Sequence, residues 1–179
     1  VKVRGVIMME ISEKRQNLLK EMAGEPVPRL WCPPLTHYAS DSEDLKIDQD
    51  RMAAHWAFMA PHVHAFLVPG STGDAWEMTD REIQDLIDLS LRLAPVWNIE
   101  LLMGVLKTDA LAARKGISEL ITGFRRTTGI ADPLEAMKAC RVCGFTICPP
   151  RGSHLTQNEM EDELAGVLEL GLPTVLYQL

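Results

Sequence analysis

At 179 residues, with 46% hydrophobic and 24% charged residues, the chain has the composition of one globular domain and is neither disordered nor fibrous. A formal net charge of −7 excludes nucleic acid as the main partner, because a phosphate backbone requires an excess of clustered Lys and Arg. No apolar run approaches the roughly eighteen residues of a membrane span, and Val1 to Glu10 is too short and wrongly flanked for a signal peptide, so a cytoplasmic protein without membrane contact is expected.

From Val6 to Met22, the spacing of Ile7, Ile11, Leu18, Leu19 and Met22 predicts a helix that stops at Gly24, giving a helical appendage over residues 1–28. Residues 29–179 follow a strand–helix rhythm. Arg29 to Cys32 is the first predicted strand, ended by Pro33-Pro34, and Asp48 caps a helix to Met59 with Met52, Trp56 and Met59 on one side. The second strand, Val63 to Val68, runs into Pro69-Gly70-Ser71-Thr72-Gly73-Asp74. Thr79 and Glu82 then form a capping box for a helix whose apolar face is Ile83, Leu86, Ile87, Ser90, Leu91 and Ala94, closed by Pro95.

A third strand spans Ile99 to Val105. The helix that Thr108 or Asp109 starts is expected to break between Gly123 and Gly129 and to resume at Asp132-Pro133. Gly144 to Cys148 is the fourth strand, Thr156 to Leu170 the next helix, and Pro173 to Tyr177 the fifth strand. Strands separated by helices, without hairpin signals, predict a parallel sheet with right-handed crossovers, whose ligands gather at the carboxyl ends of the strands.

Gly70-Ser71-Thr72-Gly73 is the most informative stretch on that edge. Its glycines allow close backbone approach and its hydroxyls stand beside their own N–H groups, which suits a small carboxylate; the same four residues also make an ordinary hydrogen-bonded turn. Four cysteines, Cys32, Cys140, Cys143 and Cys148, lie in or beside apolar segments and are expected as reduced thiols that behave as small hydrophobes. Cys140 and Cys143, with Cys148 and His154 nearby, have metal-ligand spacing but lack a second paired motif, so no metal is expected.

From Leu30 onward, apart from a longer region around Ile117 to Ala131, the chain resembles the dihydrodipicolinate synthase and N-acetylneuraminate lyase family of Schiff-base aldolases. The resemblance rests on Gly70-Ser71-Thr72-Gly73-Asp74 after the second strand and on Leu176-Tyr177-Gln178 at the end of the fifth. An ordered background supports it: a proline after strand one, a glycine ending strand three and Cys148-Pro149-Pro150 after strand four. It implies an α/β fold of the (β/α)8 TIM-barrel type, of which this chain carries about the first five strands.

The resemblance further implies a lyase or aldolase acting on pyruvate or a related 2-keto acid, without a cofactor, in a homo-oligomer such as a dimer or tetramer. Thr72, Gly70 and Gly73 would bind the carboxylate. Ser71 would hydrogen-bond Tyr177, whose hydroxyl would relay protons while an imine forms and breaks. The family's imine-forming lysine ends the sixth strand, beyond Leu179, and Lys107 is not given that role. Asp74 stands for the usual Glu and Gln178 for the usual Asn. Arg151 falls near an active-site tyrosine of many synthases, where it would bind a second carboxylate or face solvent. The alternatives are a catalytically silent keto-acid binder or an inactive fragment.

Overall fold

A computed structural model describes residues 13, 16, 17, 20, 30–39, 46–149 and 155–177. The expected boundary between residues 28 and 29 lies outside them, and of the appendage only Glu13, Gln16, Asn17 and Lys20 are described, each helical. The elements in order are α1 (Gln49–Met59), β1 (Ala65–Val68), a 3-10 turn (Ser71–Gly73), α2 (Asp80–Trp97), β2 (Glu100–Val105), α3 (Ala110–Thr128), α4 (Pro133–Ala139), β3 (Val142–Ile147), α5 (Gln157–Leu168) and β4 (Thr174–Leu176). All neighbouring strands are parallel, in the order β1-β2-β3-β4. Sequential parallel strands with intervening helices make this part of a TIM barrel. No helix among the described residues is long and apolar enough to cross a membrane.

Local chemistry explains most of the element ends. Asp48, Thr79, Asp109, Asp132 and Thr156 each accept a backbone N–H at a helix start, and Thr79–Glu82 and Thr156–Glu159 close full capping boxes. α2 buries Leu86, Ile87, Leu89, Ser90 and Ala94, and the Ser90 hydroxyl is satisfied by the Leu86 carbonyl at 2.7 Å. On the helix-facing side of the sheet, Phe66, Val68, Leu101, Met103, Phe145 and Ile147 join one core with the helices, and Trp56 stands edge-on to Phe66 with centroids 4.8 Å apart. The opposite face, by the pleat, carries Leu67, Leu102, Gly104, Gly144 and the buried Thr146.

Four expectations are corrected. The first strand shrinks to a single parallel bridge at Cys32, whose N–H reaches Ala65 O at 3.0 Å and whose carbonyl accepts from Leu67 at 3.0 Å. Pro33 and Pro34 follow at once and have no N–H to extend a ladder. α2 continues through Pro95 to Trp97, because a proline so near the end deletes only one helical bond, and left-handed Asn98 (φ 54°) terminates it by donating to Ala94 O. α3 runs unbroken through Gly123, where a Cβ would meet nothing within 4 Å, and stops only at Gly129, whose φ of 71° is left-handed. β3 begins at Val142 rather than Gly144, since the register with β2 slips between Leu101 and Leu102 and absorbs Cys143 as an extra residue.

Candidate functional site

The turn after β1 is built around its two glycines. Beyond the cis Val68–Pro69 bond, Gly70 is extended, Ser71–Gly73 coil into one 3-10 turn, and Asp74 leaves it in the left-handed region at φ 64°. The bonds Gly73 N–H to Gly70 O (3.0 Å), Asp74 N–H to Ser71 O (3.2 Å) and Ala75 N–H to Gly70 O (3.3 Å) fix it internally. Both Ser71 and Thr72 are exposed, and among the described residues no hydrogen bond uses their backbone N–H groups or hydroxyls. Four donors on two exposed residues are therefore left unpaired among the described residues at the carboxyl edge of a parallel sheet, where anions bind in α/β folds.

The preceding loop presses against this turn. A Cβ on Gly70 would lie 3.0 Å from Pro33 Cβ, and one on Gly73 would lie 2.8 Å from Pro34 O and 3.0 Å from Thr36 Oγ1. The Thr36 hydroxyl donates to Gly73 O at 2.7 Å. Thr36 was not recognisable in the sequence because its partner lies 37 positions away and no local pattern marks the pair. Tyr38 is a second neighbour missing from the sequence reading. Burial pushes its phenol above the usual range, and the carboxylates of Asp74 and Glu82 add to the effect.

Parallel pairing puts Tyr177 at the same edge as the turn. It follows β4, with its N–H donating to Ile147 O at 2.9 Å, and the residue is 45% exposed. Three strand spacings separate β1 from β4, about 14 Å across a flat sheet and less across a curved one. No hydrogen bond joins Tyr177 to Ser71 among the described residues. Arg151 and Gln178 lie outside the described residues. Lys107, just past β2, forms an exposed ion pair with Asp80 at 3.1 Å. That pair borders a cavity of about 410 Å³ between α2 and α3, lined also by Ile83, Gly104, Leu106 and Gly116 and by neither Ser71 nor Thr72.

Cys140, Cys143 and Cys148 are buried free thiols, and Cys143 Sγ donates to Leu101 O at 3.0 Å. His154 lies outside the described residues, among which no three His, Cys, Asp or Glu side chains group to hold a metal. Burial, reinforced by the Glu100 carboxylate, pushes the Cys143 thiol from 9.0 up to about 12. The folded state holds this thiol neutral, so its contribution to stability is complete below the ordinary thiol value and is lost as pH rises through the raised one. Urea unfolding between those two values should show stability falling by up to about 1.4 kcal/mol per pH unit, and Cys143→Ala should flatten that slope. An unchanged slope in the variant would assign the effect to another group.

No protein-family model matches the chain, and no curated protein sequence matches it. Solved structures do. The chain is similar to 4-hydroxy-tetrahydrodipicolinate synthase from Methylacidiphilum fumariolicum SolV, with a TM-score of 0.62 and 12% identity over 83% of this chain and 43% of that one. Against dihydrodipicolinate synthase from Cyanidioschyzon merolae, determined with lysine bound, the TM-score is 0.63 at 14% identity, over 88% and 46%. YagE, an Escherichia coli K12 prophage protein of the dihydrodipicolinic acid synthase family determined with pyruvate, gives a TM-score of 0.60 at 15% identity, over 83% and 43%. The chain thus has the fold of part of these proteins and spans less than half of their length.

Proposed function

We propose that the Gly70–Gly73 turn binds the carboxylate of a pyruvate-type 2-keto acid, and that the chain contributes this half of the site to a Schiff-base aldolase or lyase of the dihydrodipicolinate synthase kind. The observation that carries the reading is the set of unpaired N–H and hydroxyl donors on Ser71 and Thr72. They stand at the strand ends of a fold shared with proteins one of which, YagE, was determined with pyruvate. A carboxylate there accepts from the two N–H groups and the Thr72 hydroxyl, while Gly70 and Gly73 keep side chains out of its path.

The keto group then points along the rim towards β3 and β4. Tyr177, on that rim, is the acid and base that this reading assigns: it delivers a proton to the departing carbinolamine hydroxyl and takes one back in the reverse direction. Its link to Ser71 requires the tyrosine ring to swing over the strand ends when ligand is bound. Arg151 would meet a second carboxylate. The resemblance assigns the imine nitrogen to a lysine at the end of a sixth strand. The resemblance also implies a homo-oligomer, and the exposed apolar side chains of Val175 and Leu176 on β4 are surface suited to a protein contact.

Titration with pyruvate tests the reading. Saturable binding is expected, and Ser71→Ala with Thr72→Val should weaken it at least about tenfold, or about 1.4 kcal/mol, with unfolding unchanged because both side chains are exposed. Borohydride reduction with pyruvate, followed by intact mass, separates an imine former, which gains the reduced adduct, from a silent keto-acid binder, which does not. Binding that survives the double substitution would refute the turn as the carboxylate site.

A further inference from the structure

We infer that Thr36 is the positioning residue of this carboxylate site: its hydroxyl fixes where the Ser71 and Thr72 donors point. The inference rests on the reading of the turn given above and adds a residue that touches no ligand. Two observations carry it. Thr36 Oγ1 donates to the carbonyl of Gly73 at 2.7 Å, and none of the turn's own backbone bonds uses that carbonyl. The turn also abuts the same loop at both ends, Gly70 against Pro33 and Gly73 against Pro34 and Thr36, with no room for a Cβ on Gly73.

The loop is itself tied down. Cys32 is paired on both sides with β1, Pro33 and Pro34 have fixed φ, and beyond Thr36 the His37 N–H reaches Met52 Sδ at 3.3 Å while the His37 carbonyl accepts from Asp48 at 2.8 Å. A stiff loop anchored at both ends thus reaches the turn through one hydroxyl. Without it, the Gly73 carbonyl loses its partner, and the 3-10 turn that carries the Ser71 and Thr72 donors can rotate about Gly70 and Asp74. Serine keeps the hydroxyl, and valine keeps the shape without it.

The test compares the whole chain with Thr36→Val and Thr36→Ser in two measurements: pyruvate affinity by calorimetry, and hydrogen exchange of the Gly73, Asp74 and Ala75 amides without ligand. Thr36→Val should bind pyruvate about fivefold more weakly and exchange these amides about fivefold faster, while Thr36→Ser should restore both to within about twofold. Should the valine variant fail to fold, Thr36→Ala removes the same hydroxyl with less bulk and should give the same two changes. Equal affinity and equal exchange in Thr36→Val would overturn the positioning role and leave the carboxylate reading standing. If the unaltered chain binds no pyruvate, the carboxylate reading fails, and the exchange rates still decide whether Thr36 holds the turn.

Discussion

Gly104→Ala should abolish cooperative folding of the sheet, or at the least cost more than about 4 kcal/mol. A Cβ on Gly104 would collide with the carbonyl oxygen of Pro69 and lie 3.1 Å from its carbon, and both are backbone atoms that cannot swing aside. The strands cannot separate to make room, because Val68 is registered against Met103, next to the glycine. Relief would have to move Pro69 and with it Gly70, which sits against Pro33, so the turn that carries Ser71 and Thr72 would be displaced with the strand.

Gly123→Ala is the matched control. It lies within α3 with open space around its Cβ, so alanine should stabilise by about 0.5–1 kcal/mol through the entropy of the unfolded chain. Urea denaturation followed by circular dichroism checks both. A Gly104→Ala protein with ordinary stability would show that the Pro69 carbonyl does not sit over β2.

Arg141→Met should cost about 2–3 kcal/mol, through the opposite end of the same strands. Arg141 holds three groups at once: Nε donates to Ile99 O at 2.8 Å, and Nη2 donates to Asn98 Oδ1 at 2.8 Å and to Glu100 Oε1 at 2.6 Å. The guanidinium therefore ties the segment that enters β3 to the end of α2 and the start of β2. Its side chain is 27% exposed and that of Glu100 36%, so solvent screens part of the attraction and the expected cost stays below that of a fully buried pair.

The pH dependence of this cost identifies its origin. Burial raises the Glu100 carboxyl above its usual range, and Arg141 pulls it back down. Without Arg141 the carboxyl must rise further. A group raised in the folded state contributes stability that is present at low pH and lost as pH climbs through the folded value, so the variant should lose more at pH 7 than near pH 4, where Glu100 is protonated in both proteins. A loss equal at the two pH values would point to the hydrogen bonds with Ile99 and Asn98 and to packing of the arginine stem rather than to the ion pair.

Local signals in the sequence were reliable where they act within one turn of chain. Asp48, Thr79, Asp132-Pro133 and Thr156 each start a helix because the cap and the N–H it satisfies are two or three residues apart. Gly123 and Pro95 do not break their helices as their residue types predict. Both sit in helices that bury enough apolar surface elsewhere, Ile117, Ile121 and Phe124 in α3 and Leu86 to Ala94 in α2, to carry one unfavourable residue.

For the proposed carboxylate site, the sequence singles out the turn and its two hydroxyl residues, but not what presses on them. Thr36, Tyr38 and the Pro33-Pro34 contact come from a loop more than thirty residues upstream. A capping preference or an apolar period is a property of neighbouring residues, so composition, spacing and order already determined the succession of parallel strands and the edge on which the Gly70–Gly73 turn lies. The approach of Pro69 to Gly104, the reduction of the first strand to one bridge at Cys32, the exposure of Tyr177 and the grip of Thr36 on Gly73 depend on register and on which backbones meet. Those distances exist only once the sheet is assembled, and tertiary structure alone decided them.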